Sequence, residues 1–213
     1  MKIASFDIDA QKGFTPLCPD ELPVPEGHLI AGALNHLASF AELRLGSKDA
    51  HSPQAAWVVQ TQAEMLQPLE LANADLTWVS HCVPGTPGFE LLDTLPAPLA
   101  YDYFVWKGVE PDLHPYGACY HDLADTRSTG VIEYLRQQQV DTVLVGGLAL
   151  DYCVKTTALQ LRRAGFRVGV YLPACRAIAD HTAAQACEQM RSEGVELYDS
   201  AAQLAAAVPQ KEA

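Results

Sequence analysis

Six side chains have types and spacing that could do chemistry: Asp9, Asp49, His51, His81, Lys107 and Cys153. A cysteine thiolate is a nucleophile, an aspartate can serve as an acid and a lysine as a base. Asp49-x-His51 is a short O/N donor pair, and His81 adds a third donor, enough for a metal site that keeps positions open to water or substrate. Cys153 lies in the stretch VLVGGLALDYCVKTTALQL, residues 143–161. An apolar run (Val143, Leu144, Val145) meets Gly146 and Gly147. Val154, Thr157, Ala158, Leu161 and Ala164 then fall on one helical face before Gly165. With Asp151 as the expected N-cap, Cys153 falls in the first helical turn, where the positive end of the helix dipole favours thiolate. Read singly, each residue has a plain alternative. Cys153 is equally an inert buried thiol, Asp9 a loop cap and Lys107 a solvated charge, and Asp-x-His pairs are common by chance.

The elements that must position these residues alternate. Residues 2–8 read as a strand, 10–25 as a proline-rich loop, 27–43 as an amphipathic helix and 44–47 as a short strand. Residues 53–100 are expected to be mostly irregular, with the Pro/Gly-rich piece HCVPGTPG at 81–88; a loop region of that length in a compact domain is usually functional. Strands follow at 101–106, 140–145, 166–172 and 195–198, and helices at 126–138, from Asp151, and at 181–193. The tail after Pro209 is expected to fray. Repeated strand–helix units predict an α/β fold: a doubly wound, three-layer single domain over residues 1–213 with a mainly parallel sheet. In such sheets ligands bind beyond the carboxyl ends of the strands. Asp9, the Asp49/His51 pair, Lys107 and Cys153 all stand at such ends. Asp7 and Asp9, two apart along a strand, would share a face, and pattern alone does not choose between them.

Composition narrows the partners. The 213 residues are 49% hydrophobic, and 14 basic against 26 acidic side chains give a net charge of −12. With no Lys/Arg run, nucleic acid and anionic membrane surfaces are poor partners. No apolar stretch reaches the 18 or so residues of a membrane span. The N-terminus meets an acidic residue at Asp7 and does not read as a signal peptide. Cys18, Cys82, Cys119, Cys153, Cys175 and Cys187 show no CxxC pattern, so free thiols in a reducing, cytoplasmic setting are expected. His28, His36, His114, His121 and His181 show no partner pattern and read as surface or structural residues. Cys82, beside His81, is the one other cysteine worth checking as a ligand.

The chain resembles the nicotinamidase/pyrazinamidase group of the isochorismatase-like cysteine hydrolases. The resemblance rests on Ile8-Asp9-Ala10-Gln11 with Phe14, Asp49-Ala50-His51, the segment from Trp78 to Gly88 (WVSHCVPGTPG), Trp106-Lys107-Gly108, and the segment from Gly147 to Val154 (GLALDYCV). These occur in the family's order over roughly residues 3–180. The resemblance implies a sheet of about six strands and a triad of Asp9, Lys107 and Cys153. It also implies one divalent metal on Asp49, His51 and His81, zinc favoured over iron or manganese. Phe14, Trp78 and Tyr116 would be aromatic walls around a flat ring. The peptide before Ala149 would be cis, with the Ala149 and Cys153 N–H groups as an oxyanion hole.

Three positions depart from the family's usual pattern. Leu150 stands where Thr is usual, Ala50 where Trp is common, and Gly13 where an acidic or amide residue is common; none removes a catalytic or metal group. The activity implied is hydrolysis of nicotinamide, and of pyrazinamide, to the acid and ammonia through a cysteine thioester, in NAD salvage. The partner is then a small-molecule amide, and a homo-oligomer is compatible with the sequence. The alternatives are hydrolysis of another small amide, such as a ureido compound or maleamate, or a catalytically inactive binding homologue.

Overall fold

The computed structural model describes residues 1–208, and the expectation for the tail after Pro209 lies outside them. Six parallel strands form the central sheet: β1 (Ile3–Ile8), β2 (Leu43–Asp49), β3 (Tyr103–Lys107), β4 (Thr142–Leu148), β5 (Arg167–Arg176) and β6 (Glu196–Tyr198). Their spatial order is β3-β2-β1-β4-β5-β6. β1 and β4 lie in the middle and every residue of both is buried, as strands covered on both faces must be. The order in which strands are added reverses between β1 and β4, the switch point where open α/β sheets leave a crevice.

Strand alternation feeds two cores. Ala4, Phe6, Ile8, Val143 and Val145 pack on one face with Val131, Leu135, Ala158, Leu161 and Met190. These partners come from α2 (Val131–Gln137), α3 (Lys155–Arg163) and α4 (Asp180–Ser192). Ile3 and Leu144 point to the other face, with Leu34 and Leu37 from α1 (Ala31–Ala38) and Leu204 from α5 (Ala201–Ala207). The α/β, three-layer architecture is therefore as predicted.

Several boundaries differ from the sequence reading. The helix expected over 27–43 is a 3₁₀ turn (Gly27–Leu29) followed by α1, and Leu43 already belongs to β2. Leu43 kept the helical spacing by coincidence. The helix expected from residue 126 starts at Val131, after Gly130 with φ +88°; before it, the Thr126 backbone and hydroxyl are held by Asp122. α5 went unread. Ser200 caps it, its hydroxyl accepting from Gln203 N at 3.3 Å. The 53–100 region holds two small paired pieces, Val58–Val59 with Trp78–Val79 and Pro68–Leu71 with Ala74–Leu76.

Asp151 is not the N-cap. Ala149 occupies that position, and Leu150–Val154 forms a π-helical turn leading into α3. The Asp151 carboxylate instead accepts from Ile178 N (3.2 Å), Ala179 N (3.4 Å) and Thr182 Oγ1 (2.5 Å) at the start of α4. Cys153 remains in the first turn after β4.

Candidate active site

Parallel register brings the strand ends to one edge. Asp49 sits directly opposite Lys107 in the β2–β3 ladder, and Ile8, the residue before Asp9, sits opposite Gly147 in the β1–β4 ladder. Gly147 has φ +138°, and a Cβ there would lie 2.0 Å from the Ile8 carbonyl oxygen, so only glycine lets the chain leave β4 so close to β1. The Leu148–Ala149 peptide is cis.

Asp9, Lys107 and Cys153 meet. Lys107 Nζ, fully buried, lies 3.0 Å from Asp9 Oδ2 and 3.8 Å from Cys153 Sγ, pairs with Asp49 Oδ1, and donates to the Pro115 carbonyl at 3.2 Å. Asp9 Oδ1 accepts from Ser47 Oγ at 2.7 Å. Asp9 has φ +44° and lies beyond β1, so strand alternation no longer governs it. Asp7, expected on the same face, accepts instead from Arg44 Nε (3.0 Å), Arg44 Nη2 (2.7 Å) and Tyr101 Oη (2.9 Å).

Electrostatics separates these groups. Burial pushes the Asp9 carboxyl up to about 6, Asp49 adds to this, and Lys107 and Ser47 pull the other way. Burial opposes the Lys107 charge, but Asp49 and Asp9 hold its ammonium well above the usual lysine range. Burial, with Asp9 and Asp49, pushes the Cys153 thiol well up against the pull of Lys107. This corrects the expectation of a poised thiolate. At 6% exposure and facing two carboxylates, Cys153 rests as a thiol, and its proton must leave during the reaction.

The donor residues are equally ordered. His51 Nδ1–H donates to the Gly108 carbonyl at 3.0 Å and His81 Nδ1–H to the Val79 carbonyl at 2.7 Å; in a neutral ring such a bond makes Nε2 the lone-pair atom. His51 Nε2 has no hydrogen-bond partner among the described residues and lies 3.4 Å from Asp49 Oδ2. Burial pushes His81 down to about 3, and it is neutral, as a ligand must be. Burial would raise Asp49, but Lys107 holds it well below the usual carboxylate range. Two ligands about 2.1 Å from one ion stand roughly 3.0–3.4 Å apart, so the donor types, tautomers and Asp49–His51 separation fit a divalent metal. Cys82 belongs to neither donor cluster among the described residues; its carbonyl accepts from His51 N at 3.3 Å.

A cavity of about 280 Å³ opens onto this cluster. Phe14, Trp78, Tyr116, Ala149 and Cys153 are among the residues that line it. The sequence reading missed other wall residues: Leu22, Tyr152, Ile178 and His114. It also missed Gln11, which grips the Asp49 main chain, donating to its carbonyl (2.9 Å) and accepting from its N–H (2.7 Å). His114, read as surface or structural, is buried beside His51 and His81, and burial pushes it well below the usual histidine range.

The isochorismatase domain model matches residues 6–202. The chain belongs to the isochorismatase family. Within that family it is 30% identical to the nicotinamidase of Acinetobacter baylyi over 91% of this chain and 90% of that one. Among solved structures, the Acinetobacter baumanii nicotinamidase/pyrazinamidase superposes with a TM-score of 0.82 at 29% identity, covering 92% and 95% of the two chains. The Pyrococcus horikoshii pyrazinamidase, solved in complex with zinc, gives 0.74 at 27% identity over 94% and 100%. This isochorismatase-family chain is thus similar to enzymes that hydrolyse amides. No helix among its described residues is long and apolar enough to cross a membrane.

Proposed function

We propose that the chain hydrolyses nicotinamide, and pyrazinamide, to the carboxylic acid and ammonia through a thioester on Cys153, and that it serves NAD salvage in the cytoplasm. The observation that carries this reading is Lys107 Nζ lying between Asp9 and Cys153, beneath a small aromatic-walled cavity. The aromatic side chains that line it suit a flat, single-ring amide.

An amide carbonyl is a weak electrophile, so the reaction needs a strong nucleophile and a place for the oxyanion. Asp9 accepts the Cys153 proton while the adjacent ammonium of Lys107 stabilises the sulfur as it charges. Sγ attacks the carboxamide carbon, and the oxyanion is received by the backbone N–H groups of Ala149 and Cys153, a contribution of about 3–4 kcal/mol in comparable sites. Asp9 returns its proton to the departing nitrogen, the C–N bond breaks, and ammonia leaves. Asp9 then deprotonates a water that attacks the thioester carbon; the C–S bond breaks, releasing the acid and restoring the thiol. General acid–base assistance of this kind is worth about 10²–10⁴-fold.

Phe14, Trp78 and Tyr116 sandwich the ring. Asp49, His51 and His81 are the residues that would hold a divalent ion, and the zinc complex of the Pyrococcus horikoshii pyrazinamidase supports zinc. Such an ion, when bound, supplies a cationic contact for a ring nitrogen or a water at the pocket wall.

An ammonia-release assay over a panel of amides tests the substrate. Nicotinamide and pyrazinamide, each with a ring nitrogen meta to the carboxamide-bearing carbon, are expected to be good substrates. Benzamide has the shape but no ring nitrogen. Its kcat/KM should be lower by at least about 100-fold, because misplacing the carbonyl by about 1 Å alone costs that much. Equal rates for benzamide and nicotinamide would overturn the nicotinamide assignment in favour of a general small-amide hydrolase.

A further inference from the structure

His114 sits where nothing in its own sequence neighbourhood predicts a role. It lies on the loop that follows β3, its backbone N–H bonded to the Asn73 carbonyl at 2.7 Å. The nearby Leu113 carbonyl accepts from Trp57 Nε1 at 2.8 Å, which ties this loop to the segment carrying Trp78 and His81. The imidazole is stacked between two rings, His51 at 5.0 Å and 20° and Trp78 at 5.5 Å and 12°, and meets His81 edge-on at 5.7 Å.

Its polar atoms are the telling feature. His114 is 4% exposed, and neither Nδ1 nor Nε2 has a hydrogen-bond partner among the described residues. Leaving one buried polar group unpaired costs about 1–3 kcal/mol, and a purely structural histidine would bond at least one nitrogen to a carbonyl, as His51 and His81 do. One ring nitrogen of His114 and one each of His51 and His81 all lie within 4.8 Å of one another. His51 Nε2, similarly unpartnered among the described residues, lies 3.4 Å from Asp49 Oδ2. Three imidazole donors thus cluster, with the Asp49 carboxylate beside one of them.

We propose that His114 is a direct ligand of the divalent metal, so that the site is three imidazoles and one carboxylate: Asp49, His51, His81 and His114. This rests on the metal-holding reading above and extends it. Three imidazole nitrogens and one carboxylate favour zinc or a similar borderline ion and disfavour calcium and magnesium, which require oxygen ligands. Coordination uses one of the two orphaned nitrogens and fixes a ring that packing alone leaves without polar partners. His114 also lines the cavity, so its anchorage shapes the wall against which a substrate ring rests.

Metal binding by the full chain, stripped with chelator, tests this without turnover. Zn²⁺ is titrated calorimetrically, and Co²⁺ by its visible ligand-field absorption, into wild type, His114→Ala and His114→Phe, the last keeping the stack. If His114 is a ligand, both variants lose more Zn²⁺ affinity than the roughly 10–100-fold that loss of a mere outer-shell partner costs, and the Co²⁺ bands change shape. Affinity within about tenfold of wild type with an unchanged Co²⁺ spectrum would overturn the proposal. Should the variants fail to fold, zinc-edge X-ray absorption on the wild type still decides: three imidazoles support the assignment and two refute it. A chain that binds zinc through three imidazoles yet spares nicotinamide would refute the substrate and leave this ligand set standing. Turnover of nicotinamide with a two-imidazole site would do the reverse.

Discussion

Asp7 and Asp9 stand two apart in the sequence, and only their surroundings separate them. Asp9 faces Lys107 and Cys153, whereas Asp7 is locked to Arg44 and Tyr101. Asp9→Asn should therefore lower kcat/KM by at least about 10²–10⁴-fold, the worth of a positioned acid–base group. Asp7→Asn should leave the rate within a few-fold and cost about 1–3 kcal/mol of stability through its charged hydrogen bonds. Ammonia-release kinetics and thermal melts on both variants check this, and the reverse ranking would refute the assignment. The pH profile tests the same carboxylate. Because Asp9 is raised to about 6, chiefly by burial, it is protonated and useless as a base below that pH. The acid limb of kcat/KM should then have its midpoint near 6, shared among the interacting groups of the cluster; a midpoint near 4 would contradict the buried environment. At this scale the sequence showed which residue types were present and which strand ends carried them. It did not show the resting state of Cys153, because helix position favours thiolate while burial and two carboxylates oppose it, and neither is visible in a string of letters. Gln11 lay within a recognised motif, yet its grip on the Asp49 backbone depends on the β1–β2 pairing.

At the scale of elements, the loop after β3 shows how backbone geometry sets side-chain chemistry. Gly108 has φ +70°, its carbonyl accepts from His51 Nδ1, and a Cβ there would fall 2.3 Å from His51 Cε1. Gly108→Ala should cost about 1–3 kcal/mol in backbone strain and displace the His51 ring. Elemental analysis of the purified variant should show reduced metal content against about one divalent ion per wild-type chain. Full occupancy and full activity would show that the His51 tautomer is set by something else. Strands and helices with a clear period were legible within a few residues. What failed were boundaries at which a neighbouring element continued the pattern, as Leu43 did, and pieces held by tertiary pairing alone, such as Val58–Val59 against Trp78–Val79. His114 went unread for the same reason, since the Trp57–Leu113 hydrogen bond, not a motif, carries it to the site.

The whole molecule places its chemistry by topology. The order β3-β2-β1-β4-β5-β6 sets Lys107, Asp49, Asp9 and Cys153 at or just beyond the ends of successive neighbouring strands along one edge of the sheet, so residues far apart in sequence become contacts. That convergence was an expectation of doubly wound folds, and the strand pattern made it legible. The cavity walls were less so, because Leu22, Tyr152 and Ile178 come from segments with no shared signature. The central claim is that Cys153 is the nucleophile of an amide hydrolase. Its most direct test is the initial rate of ammonia release from nicotinamide by Cys153→Ala beside wild type, with circular dichroism confirming an unchanged fold. A thioester mechanism predicts a loss of about 10⁴-fold or more, the scale on which hydrolases lose activity with their nucleophile. Substantial turnover by the alanine variant would contradict it.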